Sequence, residues 1–396
     1  MKLLLHKIFL YVIVSLVLSC SSDEEPEINE SPLTCFDGIL NGDEIIVDCG
    51  GTCPGFCPNL SIGILEGEIV QSGLQLDPAI EYRLTGPFLI RDKASLTIPA
   101  GTVIKADPGK GAYIAVAQGG ILNVSGQPDN PAIITSGAEN PAPGDWGGII
   151  ICGKAPINSN TIGRSDIIDI FYGGSESDDT SGVYNYLRIE YAGAEVNNQK
   201  FDAIAFYGVG STTTITRLQS YESSGNGIRF IGGSVNTKWV VSTNSGENAI
   251  AMTNDWSGKG DFWHLSGSSK AGIKIAANME DSPLMAFDSI TNISILGPSV
   301  NGGIDYGSGS GKYDFSNLYT SDLILGIQVG EPNASSNIDM GNFTIDTIEF
   351  ENPGSDFSPT NYEGSNPTFY SEGTNIGAGN REGIPDWAIG WTRGIN

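Results

Sequence analysis

Between residues 200 and 330 the chain repeats one short pattern, a small residue followed by isoleucine. It appears as Asp202-Ala203-Ile204, Asn226-Gly227-Ile228, Asn248-Ala249-Ile250, Ala271-Gly272-Ile273, Gly302-Gly303-Ile304 and Leu325-Gly326-Ile327, at steps of 22 to 31 residues. Steps of that size belong to stacked repeat architectures. A second set of apolar runs interleaves with the first: 214–221, 238–243, 261–266, 290–296, 314–320 and 342–350. No helical period separates the two sets, so each repeat reads as one coil of a β-solenoid with two or three strands.

A single coil encloses a thin apolar interior and buries little. Stacking solves this, because each strand then pairs with the coil above and the coil below at about 4.8 Å. The small residue permits a sharp bend before the strand. Asp202, Asn226 and Asn248 are expected to stack at that bend and to hydrogen-bond along the column. Upstream, 96–105, 120–126 and 131–135 read as further strands. Thr, Ile, Val, Tyr and Phe in short runs cut by 53 glycines fit an all-β chain with little helix. Residues 59–351 at about 25 per coil make roughly a dozen coils, a rod of roughly 50–60 Å. The tail, 352–396, with Trp387 and Trp391, is expected to cap an open end. The competing architecture is an antiparallel β-sandwich, which would need hairpin turns in place of the repeat.

Three stretches resemble a family of right-handed parallel β-helix surface proteins of Bacteroidota, pectin-lyase-like in fold. They are Gly144-Asp145-Trp146-Gly147-Gly148-Ile149-Ile150, Asp178-Asp179-Thr180-Ser181-Gly182 and Tyr186-Leu187-Arg188-Ile189-Glu190-Tyr191-Ala192-Gly193. The likeness touches the tail at Asp386-Trp387 and Gly390-Trp391-Thr392. It implies a right-handed parallel β-helix.

The N-terminus carries an address. A basic start is followed by an apolar run, Ile8 to Leu18, of signal-peptide proportions and too short to span a bilayer well. Val17-Leu18-Ser19-Cys20 resembles the lipobox of bacterial lipoproteins, which implies removal of 1–19 and acylation of Cys20. Two or three acyl chains, at about 0.8 kcal/mol per buried methylene, anchor firmly. Residues 20–33 read as an acidic flexible tether, and Ser21-Ser22-Asp23-Glu24-Glu25-Pro26-Glu27 resembles the acidic export signal of Bacteroidota surface lipoproteins, which implies transfer to the outer leaflet. The expected location is therefore the outer membrane, lipid-anchored and facing outward. In 34–58, Cys35, Cys49, Cys53 and Cys57 are expected to pair as disulfides, in a connectivity that spacing leaves open. This short segment resembles a Cys-rich module of secreted Bacteroidota proteins. Its Asp37, Asp43 and Asp48 offer hard oxygens, and calcium is the cofactor they would suit. Cys152 is left as a buried thiol.

Chemistry is sparse. The net charge is −26, so a nucleic-acid partner is not expected. Only His264 survives removal of the leader, which disfavours a Ser-His-Asp triad or a two-histidine metal site. Paired carboxylates with a basic arginine would serve a polysaccharide lyase or glycoside hydrolase. The candidates are Arg188, Arg217, Glu190 and Glu222, with Arg188 and Arg217 expected at similar places in successive coils. Asp178 and Asp179 are further calcium candidates. Trp256 and Trp263, with Tyr221, Tyr306 and Tyr319, could form a strip on which sugar rings stack. The preferred function is a noncatalytic surface module that binds extended glycan, matrix or a partner protein. The alternative is a calcium-dependent polysaccharide lyase or a glycoside hydrolase, and the third is a scaffold subunit of an outer-membrane complex.

Overall fold

The structure is a computed structural model. It describes residues 62–158, 162–196, 198–276, 289–307, 311–330 and 332–395, all within the second of two units, Thr34–Asn396. Cys20, Cys35, Cys49, Cys53, Cys57, Asp37, Asp43 and Asp48 lie outside the described residues.

A 24-stranded sheet winds through the unit, and every pairing within it is parallel. The fold is a parallel β-helix, and its strands do not double back as a sandwich would require. The isoleucine column is real: Ile204, Ile228, Ile250, Ile273, Ile304 and Ile327 stand in register, one per coil. Ile114 and Ile149 extend it toward the N-terminus. All point into the core and are fully buried, each contributing about 1.5–3 kcal/mol by removal from water.

Each coil has three faces. Long strands such as Gly182–Glu190, Thr214–Tyr221, Asn236–Thr243 and Gly260–Ser266 bend in the middle and supply two of them. Face A is the part before the bend and face B the part after it. Short strands such as Ile204–Tyr207, Ile228–Ile231 and Ile250–Thr253 make face C. In the first coils, faces A and B are separate strands, Ile121–Ser125 and Ala132–Ser136, that pair with the two halves of Gly182–Glu190.

The bend has a fixed form. Tyr186, Arg217, Trp239, Phe262, Asn292 and Asn317 all have positive φ, between 51° and 60°. Each drops out of the strand register while its neighbours stay paired. One left-handed residue therefore turns the strand from face A to face B. The sequence trace of this is a pair of inward positions three apart, such as Ile215 and Leu218 or Ile290 and Ile293, where strict alternation would place them two apart.

The expected corner ladder also forms. The Asp202 Oδ1 accepts from the backbone N–H of Asn226 at 3.1 Å and from its Nδ2 at 2.6 Å. Asn226 Oδ1 accepts the same pair of bonds from Asn248, at 3.1 and 2.7 Å. The small residue beside it is sterically required at Gly227, where a Cβ would lie 2.1 Å from Ser242 Oγ and 2.6 Å from the Ala249 carbonyl.

The tail departs from expectation. Residues 358–372 add a last, thin coil through Ser358–Thr360 and Tyr370–Glu372. From there the chain turns back and runs along face B, so Trp387 and Trp391 sit on the flank and do not cover an end. One α-helix occurs among the described residues, α1 (Pro332–Asp339), inserted between a short and a long strand, and the tail carries a single 3-10 turn at Asp386–Ala388.

Candidate functional site

The chain itself covers face B and the first half of face C. On face B one register column runs Arg188, Gln219, Val241, His264, Ser294, Tyr319, Glu349. These side chains point outward, yet Gln219, Val241, His264 and Ser294 are fully buried. The tail descends this column as a strap. Arg381 pairs with Glu349 and lies over the Tyr319 ring. Ser294 Oγ donates to the Arg381 carbonyl at 3.0 Å and accepts from the Ala378 N–H at 3.1 Å. Ala388 and Trp391 pack on Val241. Gln219 closes a two-bond pair with the Arg393 backbone, at 2.7 and 2.8 Å. Arg188 donates to the Trp391 carbonyl at 3.1 Å.

The first half of face C is covered by an insertion, 153–181, which contains the hairpin Gly163–Arg164 and Phe171–Tyr172. Ile150, Cys152, Ala205, Tyr207 and Ile231 face outward and are buried, with Tyr172 against them. Burial pushes the Cys152 thiol far up, so it stays protonated and inert. Asp166 of the insertion accepts the Tyr207 hydroxyl and also binds Arg229 Nη1 at 2.9 Å. The second Asp202 oxygen lies 3.8 Å from Arg229. Burial raises the Asp202 carboxyl to about 6, against the opposing pull of Arg229 and Asn226. Burial pulls the Arg229 pKa down, but Tyr207, Asp202 and Asp166 together hold it above its usual value. An arginine kept so firmly cationic is a poor proton acceptor.

Face A remains open. Its outward column runs Ser125, Asn185, Thr216, Lys238, Asp261, Thr291, Ser316, polar at every coil and exposed or half-buried. Thr216 donates to Asn185 at 2.9 Å, Lys238 meets Asp261 at 3.0 Å, and Thr291 donates to Asp261 at 3.1 Å. A groove of about 330 Å³ opens here between Ser211, Thr213, Thr214, Asn236, Lys238 and Asp261. Along its edge runs the bend column. The Arg217 guanidinium lies 4.7 Å from the Tyr186 ring centre and 4.0 Å from that of Trp239. Lys238 sits over Trp239 and Phe262 at 4.7 and 5.4 Å. Asparagine adopts positive φ at little cost, and two upper coils use it. Tyr186, Arg217, Trp239 and Phe262 hold the same backbone at a cost of about 1–3 kcal/mol each. What these four offer must therefore lie in their side chains.

Several expected site residues are placed elsewhere by this geometry. Trp256 and Trp263 are not a ligand strip. Both are fully buried in a core stack, with Phe230 4.7 Å from Trp256 and Trp256 6.2 Å from Trp263. Tyr306 is likewise a core residue. Arg188 and Arg217 do not stack, because Arg188 stands in register with Gln219 whereas Arg217 occupies the bend beside Tyr186. Glu190 is sealed by Arg188 at 2.6 Å, Arg393 at 3.1 Å and Thr135 at 2.8 Å. Glu222 faces the Tyr221 hydroxyl. Asp178 is exposed, whereas Asp179 is buried and accepts from the Lys154 and Gly210 backbone. The two do not converge on a calcium ion, and no group of three or more His, Cys, Asp or Glu side chains gathers to hold a metal among the described residues. The residues that sequence reasoning missed are Tyr186, Trp239, Lys238 and Phe262. Their signal was the break in alternation at mid-strand.

A family model described as a pectate-lyase-like β-helix domain matches residues 67–392. No curated protein and no solved structure matches the chain.

Proposed function

The chain belongs to the family of pectate-lyase-like β-helix domains, and from that premise we propose that it is a noncatalytic module that binds an extended glycan along face A. One observation carries the reading. Of the three long faces, the strap occupies B and the insertion occupies the first half of C, while A presents an unbroken polar ladder. A chain-like ligand lying along the coil axis would meet a hydroxyl, amide or charge at each step of about 4.8 Å. The ring edges and cations of the bend column would flank it, because the ring faces are taken up by Arg217 and Lys238. We further propose a lipid anchor at Cys20 and an outward-facing position on the outer membrane, with an N-terminal module held by disulfides. The Val17–Cys20 motif and the cysteine spacing support both.

The test uses the full chain against a panel of soluble polysaccharides by affinity electrophoresis, with product analysis alongside. Retardation by at least one polymer, abolished by Thr216→Trp without loss of thermal stability, is the expected result. Retention undiminished by Thr216→Trp would sink the reading. A second reading, polysaccharide cleavage, is separated by the product analysis, since turnover of any polymer would establish it over the first.

A further inference from the structure

His264 is the only histidine among the described residues, and it is fully buried with no hydrogen-bond partner on either ring nitrogen. It is not a core residue. Its chain neighbours Trp263 and Leu265 point into the core, so its own side chain points out on face B, in register between Val241 and Ser294. The strap touches both of those neighbours, Ser294 through Ala378 and Val241 through Ala388 and Trp391. The span from 378 to 388 therefore passes over His264, and the imidazole is dry because the strap lies on it. A neutral ring tolerates such a place, whereas an imidazolium left there would be an unpaired buried charge.

No group around the ring is placed to receive that charge. Lys238 is the one charged residue of Asn236–Thr243 and Asp261 the one acid of Gly260–Ser266, and these two bind each other across face A. Ile290–Leu296 carries no charged residue. On the strap, Arg381 holds Glu349 and Glu351, and Arg393 holds Glu190. The strap's own acids, Glu382 and Asp386, are exposed.

We propose that the strap is an acid-released cover, and that proton uptake by His264 lifts it from face B. The clamps at its two ends act in the same direction, because arginine pairs with a carboxylate and not with the protonated acid. Release would bare Gln219, Val241 and Ser294, so that face B stood open beside face A, and would free Arg381 and Arg393. Burial lowers the imidazole from 6.5 to about 4. The covered state therefore holds its full advantage above 6.5 and loses it as pH falls toward 4. With all of that shielding supplied by the strap, His264 alone raises the open fraction by about twentyfold between pH 7 and pH 5.

Two strap amides report the cover directly: the Ala378 N–H donates to Ser294 Oγ, and the Arg393 N–H donates to Gln219 Oε1. Their hydrogen exchange is measured in the full chain at pH 7 and pH 5 and corrected for the intrinsic pH dependence of exchange. Protection of both should fall by about twentyfold or more at pH 5, while the strands Glu81–Ile90, Tyr113–Val116 and Ile149–Cys152 keep theirs. His264→Leu, apolar and unable to take a proton, should hold the strap down at pH 5. His264→Gln, which also does not titrate, gives the same reading should the leucine variant not fold. Equal strap protection at the two pH values overturns the proposal. So does a loss as large in the His264 variants as in the parent, since the carboxylate clamps alone would then drive release. A loss of the same size in the three control strands overturns it as well, because the whole solenoid would be unfolding in acid.

Discussion

Asp202 starts the polar ladder, and its position makes a titration visible in stability. Its carboxylate accepts both bonds from Asn226 through one oxygen, leaving the other without a hydrogen bond. Burial lifts its pKa from 3.8 to about 6. A carboxyl whose folded value is raised binds its proton more tightly in the folded state. Its contribution therefore improves as pH falls from about 6 toward 3.8 and is weakest above 6, by at most about 3 kcal/mol. Asp255, also raised to about 6 by burial, acts with the same sign. His264 acts against them, since burial lowers it from 6.5 to about 4 and stability is lost as pH falls through that window. Asp202→Asn keeps an oxygen for Asn226 and removes the ionisation. It should reduce the pH dependence of the urea midpoint between pH 4 and 7 and leave the ladder intact. Asp202→Ala instead orphans two buried donors and should cost about 1–3 kcal/mol at every pH. Equal slopes for Asp202→Asn and the parent would show that the shift is absent.

The strap is the element whose role was hidden at the level of sequence. The Ile column, the long strands and the Asp202–Asn248 ladder were legible because each coil repeats the same local requirement: a small residue at the corner, an apolar residue inward, a polar one at the turn. Which outward face is covered has no such local signature. Gln219, His264 and Ser294 look like exposed strand positions until the chain returns some eighty to two hundred residues later to cover them. Arg188 and Arg217 were misaligned for a related reason, since the left-handed residue at the bend consumes a position that a count of alternation would not skip. Trp256 and Trp263 were assigned outward because a large aromatic looks alike on either side of a strand. The strap reading has a direct consequence at His264, which lies between Val241 and Ser294 in the covered column and has no partner on either ring nitrogen. Truncation after residue 372 should uncover it and return its pKa from about 4 toward 6.5, read from the imidazole resonances. A value still near 4 in a folded truncated protein would mean that the coil, not the strap, shields it.

At the scale of the whole solenoid, each coil touches only its neighbours, so stability should be nearly a sum of coil and interface contributions. The strap breaks that locality. Arg381 ties Glu349 and Glu351 to the tail, and the same tail reaches Gln219 and Glu190, several coils down. Opening any coil between these anchors must either strain the strap or release it. The last coil lies beyond its turn and carries only the three-residue strands Ser358–Thr360 and Tyr370–Glu372. Hydrogen exchange should therefore divide the solenoid into two classes. Amides of the short strands from Ile204–Tyr207 to Ile304–Tyr306 should exchange slowly and with a common opening free energy, whereas 358–372 should exchange first. Gln219→Ala and Arg393→Ala together with Arg381→Ala loosen both ends of the tie. In that variant the common free energy should split into a gradient that falls toward the C-terminal coils, while peptides from 82–152 keep their protection. A uniform loss across all coils would mean that the stack is cooperative without the strap, and that the tail contributes burial but no coupling.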